Sequence, residues 1–561
     1  MMKRFFCAVA SAVLLAAVAS CGGNLKPLTA ENFTVNPSPL VEQGGKVEAT
    51  VSVSYPVKYF NKKAVLTITP VMTYNGGEVA GQPVIFQGEK VQGNDQTVSY
   101  KLGGNAQFRV SFDYIPAMLQ SQLCLDFKVE TGKKVYTLPR LAIADGVIAT
   151  ESLASAAYAT PAYGYDNFVK DTFDKYIATM IYQYQSTTLR SSESGKPEVT
   201  ALGDAIAATK GDDRRELTAI DMVSTASPEG SYKLNERLAA GREKSSEQYL
   251  QRMMKKAKVE GKITPEQIAE DWDGFKTLVE ASNIPDKQLI LSVLSRISDP
   301  DQREQEIKNL SAAYQELAEQ ILPKLRYSKV TATVKNIGHT DEEILALVKS
   351  DAKSLTVEEL LHAATIVGTP AEKAQIFALT SQLYPSDLRA KNNQACLDYI
   401  SGNYDAAEKA WNEILKADKA NAQANMNLGL IALNRDDLQT AQVYISNGSA
   451  AKEYSEAMGT LQTRLGQYDK ACGLFSGIST NNVAVAQLCA GRIDDARKTL
   501  NAVDKKDGLT YYLQAIVAAR SNDAAGVSTN LKKAVELDST LRAKAQSDLE
   551  FAKYQDAVKA L

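Results

Sequence analysis

The sequence predicts a multidomain chain: an N-terminal antiparallel β-sandwich, a central α/β sandwich with a helical insert, and a C-terminal all-α solenoid of helical repeats. Three observations predict it. Apolar and polar residues alternate up to about residue 148, the period then switches back and forth between strand and helix, and from about residue 341 every segment has helical period and a short motif recurs. The length of 561 residues agrees, because roughly 150 residues per domain makes three or four cores the natural expectation. With 44% hydrophobic and 23% charged residues the chain can bury those cores. Its 63 basic and 66 acidic residues leave a net charge of -3, no field for drawing in phosphate backbones, so nucleic acid is not an expected partner.

Residues 1–20 stand apart from the domains. Lys3 and Arg4 precede an apolar stretch from Phe5 to Val18 that ends in small residues, the pattern of a secretory signal peptide. The stretch is shorter than the roughly 20 residues of a membrane span. It closes as Val18-Ala19-Ser20-Cys21, which resembles the bacterial lipobox, and the resemblance implies that Cys21 is acylated and becomes the mature N-terminus. Residues 21–30 then form a short tether. With neither an Asp after the Cys nor an acidic cluster, the expected location is the periplasmic face of the outer membrane, with the cell surface as the alternative.

The sandwich is expected over residues 31–148. Val47, Ala49, Val51 and Val53 share one face of a strand, as do Phe108, Val110, Phe112 and Tyr114, and again Leu123, Leu125, Phe127 and Val129. Glycine turns at Gly44-Gly45, Gly76-Gly77, Gly103-Gly104 and Gly132 punctuate seven or so short strands, a spacing of immunoglobulin-like type. Cys124 falls on the polar face of its strand, where partial cover is the expected state. Residues 149–167, rich in Ala, Ser, Thr and Tyr, read as a linker.

Residues 168–340 read as strand, helix, strand, helix, insert, strand. A strand passes through Ile181 into a loop at Leu189-Arg190. Glu198–Thr209 has helical period, Leu217–Ser224 is a strand, Leu234–Met254 a long helix, and Lys329–Ile337 a last strand. That order suits a sheet with one face covered by helices. The text Thr225-Ala-Ser-Pro-Glu-Gly230-Ser-Tyr-Lys-Leu-Asn235-Glu-Arg-Leu238-Ala-Ala-Gly-Arg242 resembles the signature of OmpA-like peptidoglycan-binding domains. Gly230, Asn235, Leu238 and Arg242 fall at the family's spacing, while Ser227 stands where the family has Asp. The stretch from Trp272 to Arg326 resembles a helical insert of members from Bacteroidota. The resemblance implies a site for the diaminopimelate of a peptidoglycan stem peptide, with Arg242 for a carboxylate, Ser227 in place of the acid, Glu229 as a shifted substitute for its charge, and Asn235 at the turn. A helix N-terminus there favours an anion.

Residues 341–561 carry the repeats. Gly402-x-Tyr404-x-x-Ala407, Asp436-x-Leu438-x-x-Ala441, Gly466-x-Tyr468-x-x-Ala471 and Gly491-x-Ile493-x-x-Ala496 share one form, and the first two begin 34 residues apart. This is similar to tetratricopeptide repeats, whose small residues let the two helices of a hairpin approach closely. The array is expected to fold alone and to hold a protein partner.

Catalytic chemistry is thin. His339 and His362 are the only histidines, and no GxSxG, HExxH, Walker A or dinucleotide fingerprint occurs. Neighbouring carboxylates such as Asp436-Asp437 and Asp494-Asp495 sit at hairpin turns, where Asp caps helices. Cys7, Cys21, Cys124, Cys396, Cys472 and Cys489 form no CxxC pair, so no disulfide framework is expected, while the periplasm would allow one bridge and Cys472 and Cys489 lie in consecutive hairpins. The expected function is non-enzymatic, with no cofactor and no metal: an envelope scaffold held by lipid, with weak or vestigial peptidoglycan binding and a protein partner on the repeats. A surface antigen or adhesion component is the alternative.

Overall fold

A computed structural model describes residues 25–284, 286–309 and 311–561; the expected signal peptide and the expected lipidation site Cys21 lie outside the described residues. Contacts divide the chain into two compact units. One joins the residues up to Tyr165 with Phe377–Leu561, and the other is Asp166–Ile376.

The N-terminal part of the first unit is two sheets packed face to face. In one, the strand Lys46–Tyr55 pairs along its whole length with Gly104–Asp113, and on its other edge with Leu40–Gln43 and Phe33–Asn36. In the other, Ala64–Tyr74 pairs along its whole length with Ser121–Thr131, which pairs with Lys134–Asp145. The alternation decides the packing: Val47, Val51 and Val53 of the first sheet and Leu66, Ile68, Leu123 and Leu125 of the second are nearly inaccessible and share one core. The strands number eleven rather than seven, because short edge strands such as Gly77–Ala80 and Gln96–Val98 are too brief to show a period. Two pairings are parallel, Val84–Gly88 with Gln96–Val98 and Val147–Ile148 with Leu40–Gln43. Cys124 is buried, its sulfur 3.9 Å from the Thr73 hydroxyl on the neighbouring strand.

The helical part of this unit contains five hairpins: Leu388–Ile400 with Tyr404–Ala417, Ala422–Asn434 with Leu438–Asn447, Tyr454–Arg464 with Tyr468–Leu474, Asn481–Cys489 with Ile493–Ala502, and Gly508–Arg520 with Ala524–Leu537. The short helices Leu541–Ser547 and Gln555–Lys559 follow them. The recurring motif is the turn inside each hairpin. Gly402, Asp436, Gly466 and Gly491 all have positive φ, between 62° and 81°, which reverses the chain after the first helix. Ala407, Ala441, Ala471 and Ala496, five residues on, are fully buried where the second helix meets the first. A fifth copy, degenerate in sequence, has Asn522 at φ 58° and buried Val527. Gly429 shows the need for a small residue: a Cβ there would sit 2.5 Å from Ile445 Cγ1.

The central unit holds a four-stranded sheet in the order Asp171–Ile181, Tyr327–Ile337, Arg215–Thr225, Ile263–Ile268. Pro197–Ala207 and Tyr232–Ala257 cover one face, through Val199, Leu202, Ile206 and Leu250 against Ala178, Ile220, Met222 and Val330. The strand expected to pass through Ile181 ends there instead. Ile263–Ile268 escaped the sequence reading because, as an edge strand containing Pro265, Glu266 and Gln267, it buries no apolar face.

Two expected boundaries move. The helices Asp341–Ser350 and Val357–Ile366 belong to the central unit, where Arg214 pairs with Glu343 at 2.9 Å and His339 with Glu359 at 2.6 Å. The compact array therefore does not begin at residue 341. Residues 149–165, expected to be linker, lie packed against the helical hairpins of the first unit.

Candidate functional site

The segment Leu153–Tyr165 contains no charged residue, and the burial of its alanines leaves no room for one at those positions. Ala154, Ala156, Ala159 and Ala162 are buried in the core of the helical array, Ala154 in one cluster with Ala484 and Val485, the other three in another with Tyr399, Trp411 and Ile431. Ala157, Tyr158 and Thr160 face outward. The strap crosses the first helices of four hairpins, and each sends a polar side chain to its backbone.

Three asparagines bind it in the same way, each amide accepting from an N–H and donating to the C=O of one strap residue. Asn482 takes Ser155 at 3.0 and 2.9 Å, Asn427 takes Ala162 at 2.7 and 3.0 Å, and Asn393 takes Gly164 at 2.7 and 2.9 Å. Between them Glu456 accepts from the Thr160 N–H at 3.2 Å, and Tyr399 donates to the Ala156 carbonyl at 2.7 Å. Through Asn482, Glu456, Asn427 and Asn393 the strap meets the hairpins in reverse order, from the fourth at Ser155 to the first at Gly164, while Tyr399 of the first hairpin reaches back to Ala156. The Ala162 carbonyl also accepts from Asn392 at 2.8 Å and from the Cys396 thiol at 3.3 Å; burial pushes that thiol's pKa up and keeps its proton in place. Trp411 fixes Asn392 with a 3.0 Å bond from its indole N–H.

The fit is close. A Cβ on Gly164 would lie 2.7 Å from the Cβ of Arg389. Asparagine is a poor residue for a helix interior, since its amide competes for backbone partners. Its repetition as Asn392-Asn393, Asn425-x-Asn427 and Asn481-Asn482 inside apolar helical text was the available sign of this groove; sequence reasoning passed over it.

Where the strap leaves the sandwich, Glu151 is buried and accepts from the N–H groups of Gly44 and Gly45 at 2.9 and 3.3 Å and from the Tyr468 hydroxyl at 2.5 Å. Gly44 has φ 60°, and a Cβ there would stand 3.1 Å from the Leu465 carbonyl, so only glycine suits this turn. Burial, reinforced by Glu151, raises the pKa of neighbouring Glu42 to about 7, with Arg464 opposing.

The second candidate site lies in the central unit and gathers every residue the signature singled out. Ser227, Glu229, Gly230, Asn235 and Arg242, with Tyr184 and Leu238, line a cavity of about 10 Å³, the room of about one water. Arg242 is 1% exposed and donates to three main-chain carbonyls, Thr225 at 2.8 Å, Ser186 at 3.0 Å and Gln183 at 3.3 Å. Burial, then the charge of Arg326, lowers its pKa to about 10. Arg326, expected only as the end of the helical insert and not as a site residue, forks onto Glu229 at 2.8 and 3.1 Å. The Ser227 hydroxyl also donates to Glu229. The carboxylate expected to substitute for the missing acid is thus already paired. Asn235 bonds the Gly230 carbonyl at 2.8 Å and Glu270 at 2.9 Å, holding the turn before the helix.

Among the described residues no cluster of three or more His, Cys, Asp or Glu is placed to hold a metal, no helix is long and apolar enough to cross a membrane, and the four cysteines are free thiols.

No known family's sequence pattern matches the chain, and no curated protein matches it. Solved structures overlap it in part. A tetratricopeptide repeat protein from Parabacteroides merdae is 16% identical, covering 35% of this chain and 85% of its own, with a TM-score of 0.28. The Cut9 and Hcn1 hetero-tetramer of the APC/C is 16% identical over 39% of this chain and 44% of that one, with a TM-score of 0.30. Yeast Tom70 is 12% identical over 73% of each chain, with a TM-score of 0.24. Overlaps this loose carry no statement about function. The repeat character rests on the five hairpins and their shared turn.

Proposed function

We propose that the protein is a non-enzymatic scaffold of the cell envelope, held by lipid on Cys21 at the periplasmic face of the outer membrane, with the helical array holding protein segments. One observation carries it: four consecutive hairpins each turn a polar side chain inward, and three of these are amides that take both main-chain groups of an extended residue. An amide that bonds a backbone N–H and C=O together acts as the edge of a strand does, a recognition mode that suits polypeptide. The central unit is read as an OmpA-like domain, supported by the signature residues meeting around one small cleft. With Glu229 paired to Arg326 and Arg242 tied to three carbonyls, its affinity for peptidoglycan is weak.

The anchor is tested by Cys21→Ala, which should abolish the acylated N-terminal peptide and move the protein to the aqueous phase in detergent partitioning. Partner holding is tested by photo-crosslinking in intact cells from Gln423, which lines the mouth of the groove. A discrete crosslinked protein that disappears when the groove-lining Asn427 is replaced by Ala supports the reading; identical crosslinks with and without Asn427 oppose it. Wall binding is tested by sedimentation with purified peptidoglycan. Weak, saturable sedimentation is expected, and none at any concentration would leave the array as the whole of the function.

A further inference from the structure

The strap is held through its backbone. On the strap, the amides of Asn393, Asn427 and Asn482 bond only main-chain atoms, those of Gly164, Ala162 and Ser155, and such groups are present in any chain whatever its side chains. What the groove demands of side chains is smallness at Ala156, Ala159 and Ala162, three residues apart, and at Gly164. Ala156 and Ala159 are set three apart by the single 3-10 turn Ala156–Tyr158, whose Ala156 carbonyl accepts from the Ala159 N–H at 3.0 Å, and Ala162 follows Pro161 after the chain turns extended at Ala159. Beyond Gly164 the groove stays open as a cavity of about 290 Å³ lined by Ser386, Asp387, Asn421 and Gln423, a foothold from which an incoming chain can replace the strap step by step.

We propose that Leu153–Tyr165 is a displaceable internal ligand, and that the groove it fills takes in exchange a protein segment bearing small side chains three residues apart, able to follow the strap's turn and the extended stretch after it. This deepens the scaffold reading and rests on it: the array is closed by its own chain until a segment of that pattern competes. The strap's buried alanines offer little apolar area, and the bonds it makes with the three asparagines are neutral, each of modest net strength, with charged ones added by Glu456 at Thr160 and by Arg389 at Tyr165. Such a hold opens locally while the hairpins stay folded.

The test uses the full chain and a fluorescent synthetic peptide of the strap's own sequence, Ser155 to Tyr165. Hydrogen exchange of the wild type comes first. The amides of Ala162 and Gly164 should exchange at least tenfold faster than those of Leu430 and Ile431 in the array core; equal protection would make the strap a permanent wall and overturn the proposal even if the peptide binds elsewhere. Then Ala162→Glu, which cannot seat its side chain in the groove, should bind the peptide at least tenfold more tightly than the wild type, and adding Asn427→Ala should remove that gain. A folded Ala162→Glu protein, helical by circular dichroism, that gains no affinity overturns the proposal. If that variant fails to fold, the exchange comparison in the wild type decides alone. Peptide binding to Ala162→Glu together with a fully protected wild-type strap would leave the groove reading standing and remove only the exchange.

Discussion

The groove of the array and the cleft beside Arg242 both place buried polar side chains against main-chain atoms, yet they do opposite things. In the groove, neutral amides reach a segment more than two hundred residues away in sequence, Asn393 bonding Gly164 and Asn427 bonding Ala162. In the cleft, a buried cation reaches carbonyls of the loop at Gln183 and Ser186 and the end of the strand at Thr225, all belonging to the fold that surrounds it. The first arrangement can change occupants, because both hydrogen-bond partners survive separation by turning to water. The second cannot, because a guanidinium taken from its carbonyls in a closed site has nowhere to place its charge. A recognisable signature is therefore no guarantee of the more available site.

The sharpest break in this comparison is Arg242→Ala. Removing a buried cation that donates to three carbonyls should destabilise the central unit by about 3 to 5 kcal/mol, since each hydrogen bond to a charged group is worth about 1.5 to 3 and the freed carbonyls stay buried. Hydrogen exchange of Arg215–Thr225 measures it. Unchanged protection with lost peptidoglycan sedimentation would instead make Arg242 a ligand-binding residue.

Next comes pH, where the first unit should respond. Glu42 is 2% exposed, and its Oε2 meets no hydrogen-bond partner among the described residues. Its pKa, raised by burial from 4.5 to about 7, means the folded state keeps a proton that the unfolded state has lost. Its contribution to stability is thus full below about pH 4.5 and declines as pH rises through 7, by about 3 kcal/mol in all at roughly 1.4 kcal/mol per unit. Urea titrations at pH 5 and 8 should show the decline, and Glu42→Gln should flatten it. A wild type equally stable at both values would mean that Glu42 is ionised and paired.

Asn427→Ala should cost about 2 to 3 kcal/mol in the first unit, because it leaves the buried Ala162 N–H without a partner while Asn392 and Cys396 still serve the carbonyl. The chemical-denaturation midpoint checks it. A loss below 0.5 kcal/mol (roughly the error of such a titration) would show that water replaces the amide and that the groove holds its strap by shape alone.

The smallest effect belongs to Ser227→Asp. A second carboxylate beside Glu229 competes for Arg326, so peptidoglycan sedimentation should strengthen by at most about tenfold, near 1.4 kcal/mol. A hundredfold gain would mean that Glu229 leaves Arg326 when ligand arrives.

The sequence by itself determined whatever depends on local period. The strands Lys46–Tyr55 and Gly104–Asp113 were legible because alternating side chains face opposite sides of a pleat, and four of the hairpins were legible because each places a left-handed residue and, at fixed spacing, a small one. The candidate residues of the cleft were legible as a spaced motif, but their pairing was not: Arg326 lies 97 residues from Glu229, and no local rule connects them. Only the tertiary structure decided the role of Leu153–Tyr165. Small uncharged residues suit a solvent-washed linker and a tightly packed strap equally well, and what separates the two is a row of amides contributed by helices hundreds of residues further on. Backbone hydrogen bonds carry no sequence signature of their own, so the strap could be found only once the fold had brought those asparagines to it.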